Sequence, residues 1–281
     1  MVGELSDTDF KLFSMFIYDQ CGIKLPMIKK TMLSVRLAKR LRLLKMISFR
    51  KYYEYVKSGE GMKKELIHMI DVVTTNKTNF FREAKHFEVL TEKVIPALVH
   101  SRPDIRYKQL FIWSAGCSTG EEPYTIAMVM EEFINHHTRL NYSILCTDIS
   151  THVLHKASNG IYEDSQLEGI PMQYIKKYTM RGKGRNQGKS RIIPELQDRL
   201  TFCRVNLNEG PDFGIKTQMD IIFCRNVIIY FDRETQKKLF EKYYHQLYPG
   251  GYLFIGHSET LHGINDQFIP VDVSVYRKPL R

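Results

Sequence analysis

The sequence predicts an α/β protein with a mostly parallel sheet and an antiparallel edge, preceded by a small all-α domain and carrying a small inserted antiparallel β-subdomain. From Gln109 onward, short apolar runs alternate with helical stretches, which is typical of strand-helix-strand units. Before residue 75, apolar residues instead recur at helical spacing. With 281 residues, 43% of them hydrophobic, the chain is long enough for one large domain and one smaller one.

The amino-terminal domain, residues 1–75, is predicted to be a small helical bundle. One helix is indicated by apolar residues that lie within a narrow stripe at roughly 100° per residue, namely Leu33, Leu37, Leu41 and Leu44. The same spacing predicts amphipathic helices over residues 6–20, 47–57 and 60–73. The domain is strongly basic, since ten Lys or Arg and no carboxylate lie between Asp19 and Glu54.

The rest of the chain is predicted to form a linker and the start of the sheet domain at 76–108, and the sheet domain itself at 109–281. Parallel strands are expected at residues 109–113, 143–147, 199–205, 219–224 and 252–256. Helices are expected at 122–136, 151–158 and 233–247, and an antiparallel edge at 267–277. Between Tyr162 and Arg199 the pattern breaks into a basic, glycine-bearing insert, which predicts the β-subdomain at 171–200.

Composition argues against several other classes of protein. No apolar run approaches the ~18 residues that span a bilayer, and the first residues lack the basic-then-apolar order of a secretory signal. We therefore expect a cytoplasmic protein without membrane insertion. The five cysteines never form a CxxC pair, which argues against a disulfide framework or a thiolate zinc site. No metal is expected, because the ten histidines show no ligand spacing, and the adjacent His136 and His137 point in different directions on a helix.

A cofactor site is indicated by the segment Phe111–Tyr124, where a strand runs into a glycine-spaced turn and then a helix. Ligands of open α/β sheets bind at the carboxyl ends of strands, although a plain tight turn is the alternative here. The next strand ends in Asp148, which is either surface charge or a partner for two ribose hydroxyls. Glu121 and Glu122 lie where a phosphate would dock and would repel it. A cofactor with a ribose and a positive charge but no phosphate fits better, and S-adenosylmethionine is such a molecule.

Two further segments are expected at the same edge of the sheet. The buried strand that begins at Asp220 runs into Arg225 and Asn226, and the segment Arg204–Asn208 follows the preceding strand. The alternative interpretation of the segment Arg204–Asn208 is a simple asparagine turn without a ligand. The aromatic pair Tyr230-Phe231 either lies over the ligand crevice or caps the sheet.

Four separated motifs stand out along the chain: Thr75-Asn-Lys-Thr-Asn-Phe-Phe-Arg-Glu83, Ser118-Thr-Gly-Glu-Glu-Pro-Tyr124, Cys224-Arg-Asn-Val-Ile-Ile-Tyr-Phe-Asp232 and Gly256-His-Ser-Glu259. Together they resemble the chemotaxis receptor glutamate O-methyltransferases, the CheR family. The resemblance covers nearly the whole chain. It implies a helical amino-terminal domain, a Rossmann-like S-adenosylmethionine methyltransferase domain and a small β-subdomain. It also implies methyl transfer to glutamates on the cytoplasmic helices of chemoreceptors, with S-adenosylhomocysteine as the product.

The resemblance also implies the site residues. It places cofactor contacts at Asn76, Thr78, Arg82, Glu122, Asp148, Asn206, Leu207, Arg225 and Asn226. It places Arg82 and Tyr230 beside the transferred methyl group. One departure is Asn79, which stands before the phenylalanine pair where relatives also have a small residue.

The helix that carries the leucine stripe has a cationic opposite face. Arg36, Lys39 and Arg42 lie on it, with Arg40 on a flank. A charged helix face is usually just solvated. Because the methyl-accepting receptor helices of the resembled family are acidic, we expect this face to steer and align them.

The insert carries Gly182, Gly184 and Gly188. This spacing resembles the β-subdomain loop of family members that bind a carboxyl-terminal receptor peptide, a contact that strand-edge capture would suit. A flexible basic loop without a ligand is the alternative.

A nucleic-acid N-methyltransferase is the competing function. The net charge of +10 would attract phosphates, and the segment from Asn226 to Tyr230 faintly resembles an Asn-Pro-Pro-Tyr turn. However, that turn has no prolines here, and the basic residues gather on one helix face and one loop. We expect no nucleic-acid partner, and we expect a monomer.

Overall fold

The structure is a computed structural model that describes residues 3–101, 109–137 and 140–280. Residues 102–108 of the predicted linker, and the terminal residues 1, 2 and 281 of the predicted domains, lie outside this description, as do the side chains of His136 and His137. Among the described residues, no helix is both long and apolar enough to cross a membrane.

The described part of the amino-terminal domain has five α-helices, α1 (Asp7–Cys21), α2 (Lys30–Leu43), α3 (Phe49–Lys57), α4 (Gly59–Lys64) and α5 (Leu66–Val73), and a 3-10 turn (Met27–Lys29) before α2. The Ser6 hydroxyl accepts from the Asp9 N–H and begins α1, while Gly22 ends it in the left-handed conformation. The predicted leucine stripe faces the core, since Leu33, Leu37 and Leu41 are fully buried.

The single helix predicted over 60–73 is wrong, because the chain forms α4 and α5 with a break at Glu65. The Glu65 side chain is 3% exposed, and its carboxylate accepts from Arg40 Nε and Nη2, both at 2.8 Å. The Tyr52 hydroxyl donates to the same carboxylate at 2.8 Å. The break thus places a buried carboxylate against a guanidinium and a phenol, which the apolar pattern alone did not reveal.

Within the described ranges ten strands follow, in the order β1 (Gln109–Ala115), β2 (Asn141–Asp148), β3 (Ile161–Glu163), β4 (Thr179–Arg181), β5 (Lys189–Ile192), β6 (Leu200–Arg204), β7 (Met219–Cys224), β8 (Leu247–Ile255), β9 (Ile269–Asp272) and β10 (Val275–Arg277). Seven of them form one sheet in the order β6-β2-β1-β7-β8-β10-β9. The pairs from β6 to β8 are parallel, and β10 is antiparallel to both of its neighbours. This confirms the predicted mostly parallel sheet with an antiparallel edge.

Helices cover both faces of this sheet. They are α6 (Lys85–Val89), a π-helical turn (Leu90–Val94), α7 (Ile95–Ser101), α8 (Glu121–His137), α9 (Thr151–Asn159), α10 (Met172–Tyr178), α11 (Pro194–Gln197) and α12 (Arg233–Gln246). Strand β7 is buried along its whole length, and its side chains alternate between two cores. Ile221 and Phe223 belong to one core, whereas Ile222 and Cys224 belong to the other. A central strand buried on both faces explains its continuous apolar sequence.

The small antiparallel sheet has the order β3-β5-β4. It includes β3, so it begins before the predicted bound at residue 171. Both β3 and β4 pair only with β5 among the described residues, which leaves each with a free edge.

The Arg40–Glu65 pair should stabilise the amino-terminal domain, and Arg40→Met tests this. We expect the free energy of unfolding to fall by about 3 kcal/mol, because removing one partner leaves a buried carboxylate without its cation. Arg42→Met, which changes an exposed residue of the same helix, should stay within about 0.5 kcal/mol of wild type. Urea unfolding of the full chain, followed by circular dichroism, measures both. Equal stability of the two variants would contradict the structural role of Arg40.

Candidate cofactor site and active site

A cavity of about 220 Å³ lies over the carboxyl ends of β1, β2, β6 and β7. Every residue that the sequence placed at the cofactor or the methyl group lines it: Asn76, Thr78, Arg82, Glu122, Asp148, Asn206, Leu207, Arg225, Asn226 and Tyr230. These residues converge because parallel strands deliver their carboxyl ends to one edge of the sheet.

The other predicted residues lie elsewhere. Lys39 and Arg42 are exposed on α2, and neither they, Arg36, Arg40 nor the glycines of the insert line this cavity. Arg36 Nη1 donates to the carbonyls of Val73 and Thr74 at 2.6 and 2.9 Å, so it ties α2 to the segment that joins the domains.

Glu122, at the start of α8, is a carboxylate that lines the cavity. The Ser114 hydroxyl donates to its Oε1 at 2.7 Å, and Arg225 Nη1 lies 3.4 Å from its Oε2. Burial raises the pKa of Glu122, and the Arg225 guanidinium offsets part of this rise. The neighbouring Glu121 is turned away and accepts from the Thr119 hydroxyl at 2.7 Å. Only one acid of the pair therefore reaches the cavity.

Asp148 at the end of β2 is held in place by the backbone. Its Oδ2 accepts from the Ser118 N–H and its Oδ1 from the Ser150 N–H, each at 2.9 Å. Burial raises the pKa of Asp148, while these N–H groups favour its charged form. Each carboxylate oxygen keeps a further lone pair, so the carboxylate can still accept from a ligand hydroxyl.

Arg225 is the buried cation of the site, with a side chain only 2% exposed. Its Nη2 lies 3.1 Å from Glu83 Oε2 and also donates to the Arg82 carbonyl. Burial opposes the charge of Glu83, but Arg225, Asn226 and the His257 N–H together hold the pKa of Glu83 below its ordinary value. Glu83 ends one of the quoted motifs, yet its role as the partner of Arg225 could not be derived from the sequence.

Four non-glycine residues around the site have left-handed backbone conformations: Phe81, Glu83, Ser118 and Asn226, with φ between 49° and 59°. Each costs on the order of 1–3 kcal/mol and persists only where the surrounding structure enforces it. Such strain concentrates where side chains must be aimed at a ligand. All four belong to the quoted motifs, and Asn226 lies two residues after the end of β7.

Glu259 fixes the turn that carries Arg225 and Asn226. Its Oε2 accepts from the Gly256 and Asn226 N–H groups at 2.6 and 3.1 Å, and its Oε1 accepts from the Ile229 N–H at 3.2 Å. A Cβ on Gly256 would lie 2.5 Å from Asn226 Nδ2, so this position requires glycine. The Gly256-His-Ser-Glu259 motif therefore supports the site from behind.

The amino-terminal domain covers the cavity, which sequence reasoning did not predict. Residues between 21 and 32, from the end of α1 to the start of α2, line the cavity opposite the sheet. The Lys24 N–H donates to the Tyr230 carbonyl at 2.9 Å, and Asn206 Nδ2 donates to the Gln20 carbonyl at 2.7 Å. No local pattern signals this contact, because it depends on how segments that are far apart in the sequence pack against each other.

The lining fits S-adenosylmethionine chemically. Glu122 and Asp148 supply acceptors for an ammonium group, a sulfonium charge and ribose hydroxyls, and they oppose a phosphate. Lys24, Lys77 and Arg82 also line the cavity and complement a ligand carboxylate. A nucleoside that carries an amino-acid group and no phosphate complements both the acidic and the basic lining residues.

A Rossmann-like sheet with these acceptors at its switch point defines an S-adenosylmethionine-dependent methyltransferase. Residues 76–277 match the family model "CheR methyltransferase, SAM binding domain", and residues 8–74 match "CheR methyltransferase, all-alpha domain". The chain belongs to the CheR methyltransferase family, which confirms the resemblance seen in the four motifs.

Individual relatives support the same family assignment. The chain is 37% identical over 272 residues to the chemotaxis protein methyltransferase of Salmonella typhimurium, covering 97% of this chain and 90% of that protein. It is 39% identical over 250 residues to that of Borreliella burgdorferi, covering 88% and 86%, respectively. The corresponding protein of Escherichia coli is 37% identical over 272 residues, covering 97% and 91%. The nucleic-acid alternative finds no support among these relatives.

The ionisation of Glu122 should control cofactor affinity. The charged carboxylate attracts the cationic ligand and the protonated form does not, so affinity should fall as the pH drops through the raised pKa of Glu122. Calorimetry with S-adenosylmethionine from neutral to acidic pH measures this fall. At neutral pH, Glu122→Gln should bind about ten- to 100-fold more weakly, as loss of a charge-assisted hydrogen bond of ~1.5–3 kcal/mol predicts.

Glu121→Gln is the matched control, because the carboxylate of Glu121 points away from the cavity towards Thr119. It should retain wild-type affinity and pH dependence. If the two glutamine variants bind the cofactor equally well, Glu122 is not its acceptor.

Proposed function

We propose that this enzyme transfers methyl groups from S-adenosylmethionine to glutamate side chains on the cytoplasmic helices of chemoreceptors, and that it does so in the cytoplasm. The observation that carries the proposal is the cavity, which is lined by residues of three of the four motifs, while the fourth motif holds the turn that carries Arg225 and Asn226. The names of the relatives, chemotaxis protein methyltransferases, support the same process.

The proposed chemistry needs no general base. A glutamate carboxylate has an ordinary pKa near 4.3 and is already the nucleophile at neutral pH. The bound cofactor supplies a methyl group on a sulfonium, whose positive charge is lost on transfer. The protein's work is positioning in a site shielded from water, which contributes up to ~7–11 kcal/mol in favourable cases.

Arg82 and Tyr230 are the residues that we place beside the methyl group. Arg82 Nη1 donates to the Lys77 carbonyl at 3.1 Å, which fixes the guanidinium and leaves other N–H groups for a carboxylate. A bidentate grip on the attacking oxygen would stabilise the ground state and slow the transfer. We therefore assign Arg82 to orienting the cofactor carboxylate or the non-attacking oxygen, and Tyr230 to forming the wall of the methyl path.

Receptor docking belongs, in this proposal, to the exposed part of the cationic face of α2. Arg40 is engaged by Glu65 and Arg36 by backbone carbonyls, so these two residues hold the domain together. Lys39 and Arg42 remain exposed and are the charges that an acidic receptor helix would meet.

The β-subdomain is proposed to bind a receptor carboxyl-terminal peptide along the free edge of β4. A Cβ on Gly182 would lie 2.1 Å from the Asn186 carbonyl oxygen, so this turn requires glycine. Gly184 and Gly188 have positive φ values and nothing within 4 Å of an added Cβ, which leaves the backbone open to an incoming strand.

The function is tested by incubating the enzyme with labelled S-adenosylmethionine and membranes from the source organism. Label should enter proteins and be released by mild base as methanol, because carboxyl methyl esters hydrolyse whereas N-methyl groups do not. Glu122→Gln, assayed at the wild-type cofactor concentration, should incorporate much less label. Label that stays on protein after base treatment, or appears on nucleic acid instead, would overturn the proposal.

Docking through α2 is tested by replacing both Lys39 and Arg42 with alanine. The KM for receptor should rise about three- to tenfold, since exposed ion pairs contribute ~0.2–1 kcal/mol each, and its salt dependence should flatten. Affinity for S-adenosylhomocysteine should not change. Lys63→Ala, at an exposed lysine of the same domain, is the control and should behave as wild type. A KM that neither salt nor the double substitution changes would exclude docking at this surface.

A further inference from the structure

Two histidines that are far apart in the sequence meet next to the cofactor cavity. Glu83, His86 and His257 each offer a ligand atom, and these atoms all lie within 4.8 Å of one another. The His86 and His257 ring centroids are 4.6 Å apart, and His86 Nδ1 lies 3.5 Å from Glu83 Oε2. The expectation of no metal rested on spacing along the chain, which cannot show that α6 packs against the turn after β8.

His86 is the unusual member of this cluster, because its side chain is only 1% exposed. Both of its ring nitrogens are buried, and neither has a hydrogen-bond partner of normal geometry among the described residues. A buried polar group without a partner costs about 1–3 kcal/mol, so a ligand for the imidazole lone pair would be stabilising.

We propose that Glu83, His86 and His257 form a binding site for a zinc-class divalent cation. Two imidazoles and one carboxylate are the protein ligands of many zinc sites that keep a fourth position open. Harder cations such as Mg²⁺ and Ca²⁺ prefer oxygen-rich shells. The exposed ring of His257 gives the ion a route from solvent.

The spacing of the three ligands suits such an ion after a small adjustment. Zinc bonds of roughly 2.0–2.2 Å place tetrahedral ligand atoms about 3.3–3.5 Å apart. Glu83 Oε2 and His86 Nδ1 already have this separation. His257 lies at the surface and needs to move by about 1 Å, which an exposed side chain does readily.

The ion would compete with Arg225, because both need Glu83. Arg225 Nη2 lies 3.1 Å from the same Glu83 oxygen that faces His86. The neighbouring guanidinium also repels a cation, which limits the affinity of the site. Arg225 contacts Glu122 and lines the cofactor cavity. If Glu83 turned from Arg225 to the metal ion, Arg225 would lose a partner and its interactions in that cavity would change. The bound ion therefore weakens cofactor binding, and the cofactor weakens ion binding by the same factor.

Calorimetry with ZnCl₂ and visible absorption with CoCl₂ test the site on the full chain. A Cys203→Ser background removes the exposed thiol, which would otherwise compete for either metal. We expect one ion per chain and the intense visible bands of low-coordinate cobalt. His257→Gln should weaken binding at least about ten- to 100-fold, the loss that even an outer-shell partner causes.

His262→Gln, at an exposed histidine a few residues further on, is the matched control and should bind like the background. His86→Gln gives a second, buried test if it folds. Absence of binding, or equal binding by His257→Gln and His262→Gln, would overturn the site. The coupling is measured as the affinity for S-adenosylhomocysteine with zinc and with a chelator, and an unchanged affinity would refute the competition for Glu83.

Discussion

The site depends on one buried cation. The Arg225 side chain is 2% exposed, and an unpaired guanidinium at that depth would cost several kcal/mol. Glu83 and Glu122 supply the opposite charges from two different segments, the domain connection and the start of α8. Arg225 itself follows β7. Because its guanidinium needs both carboxylates as partners, three segments meet at one point: the domain connection, the start of α8 and the end of β7. Buried ion pairs of this kind contribute little net stability, but they specify which groups must meet.

The same requirement explains the strained backbone around the cavity. Glu83 and Asn226 both have positive φ values, and Asn226 Nδ2 donates to Glu83 Oε1 at 3.2 Å. The Asn226 N–H is also held by Glu259, at 3.1 Å. Glu83 and Asn226 are thus each fixed by at least one charge-assisted hydrogen bond, which is stronger than a neutral one and compensates for the unfavourable backbone. The surrounding structure enforces the geometry of the turn before any ligand binds.

Sequence reasoning succeeded where periodicity or strand direction decides the outcome. The leucine stripe of α2 and the buried run of β7 follow directly from their spacing, and the strand ends placed Asp148 and Arg225 together. The sequence-based prediction failed where a single polar side chain determines the local structure. Glu65 divides a helix that looks continuous, and it engages Arg40, which the helical wheel had placed on the flank of a free cationic face. Glu259 could be recognised as part of a motif, but its three backbone contacts become visible only in the folded chain.

Helix α2 shows how one element serves two purposes. Its leucine face packs in the domain core, while Arg36 reaches the carbonyls of Val73 and Thr74 and so fixes the helix to the segment that leads to Asn76. That segment lines the cofactor cavity. In the proposed docking mode, a partner helix on Lys39 and Arg42 would therefore be held in a fixed relation to the cofactor cavity. Arg36 and Arg40 fix the position of the helix through bonds within the domain, which leaves the exposed Lys39 and Arg42 for that partner.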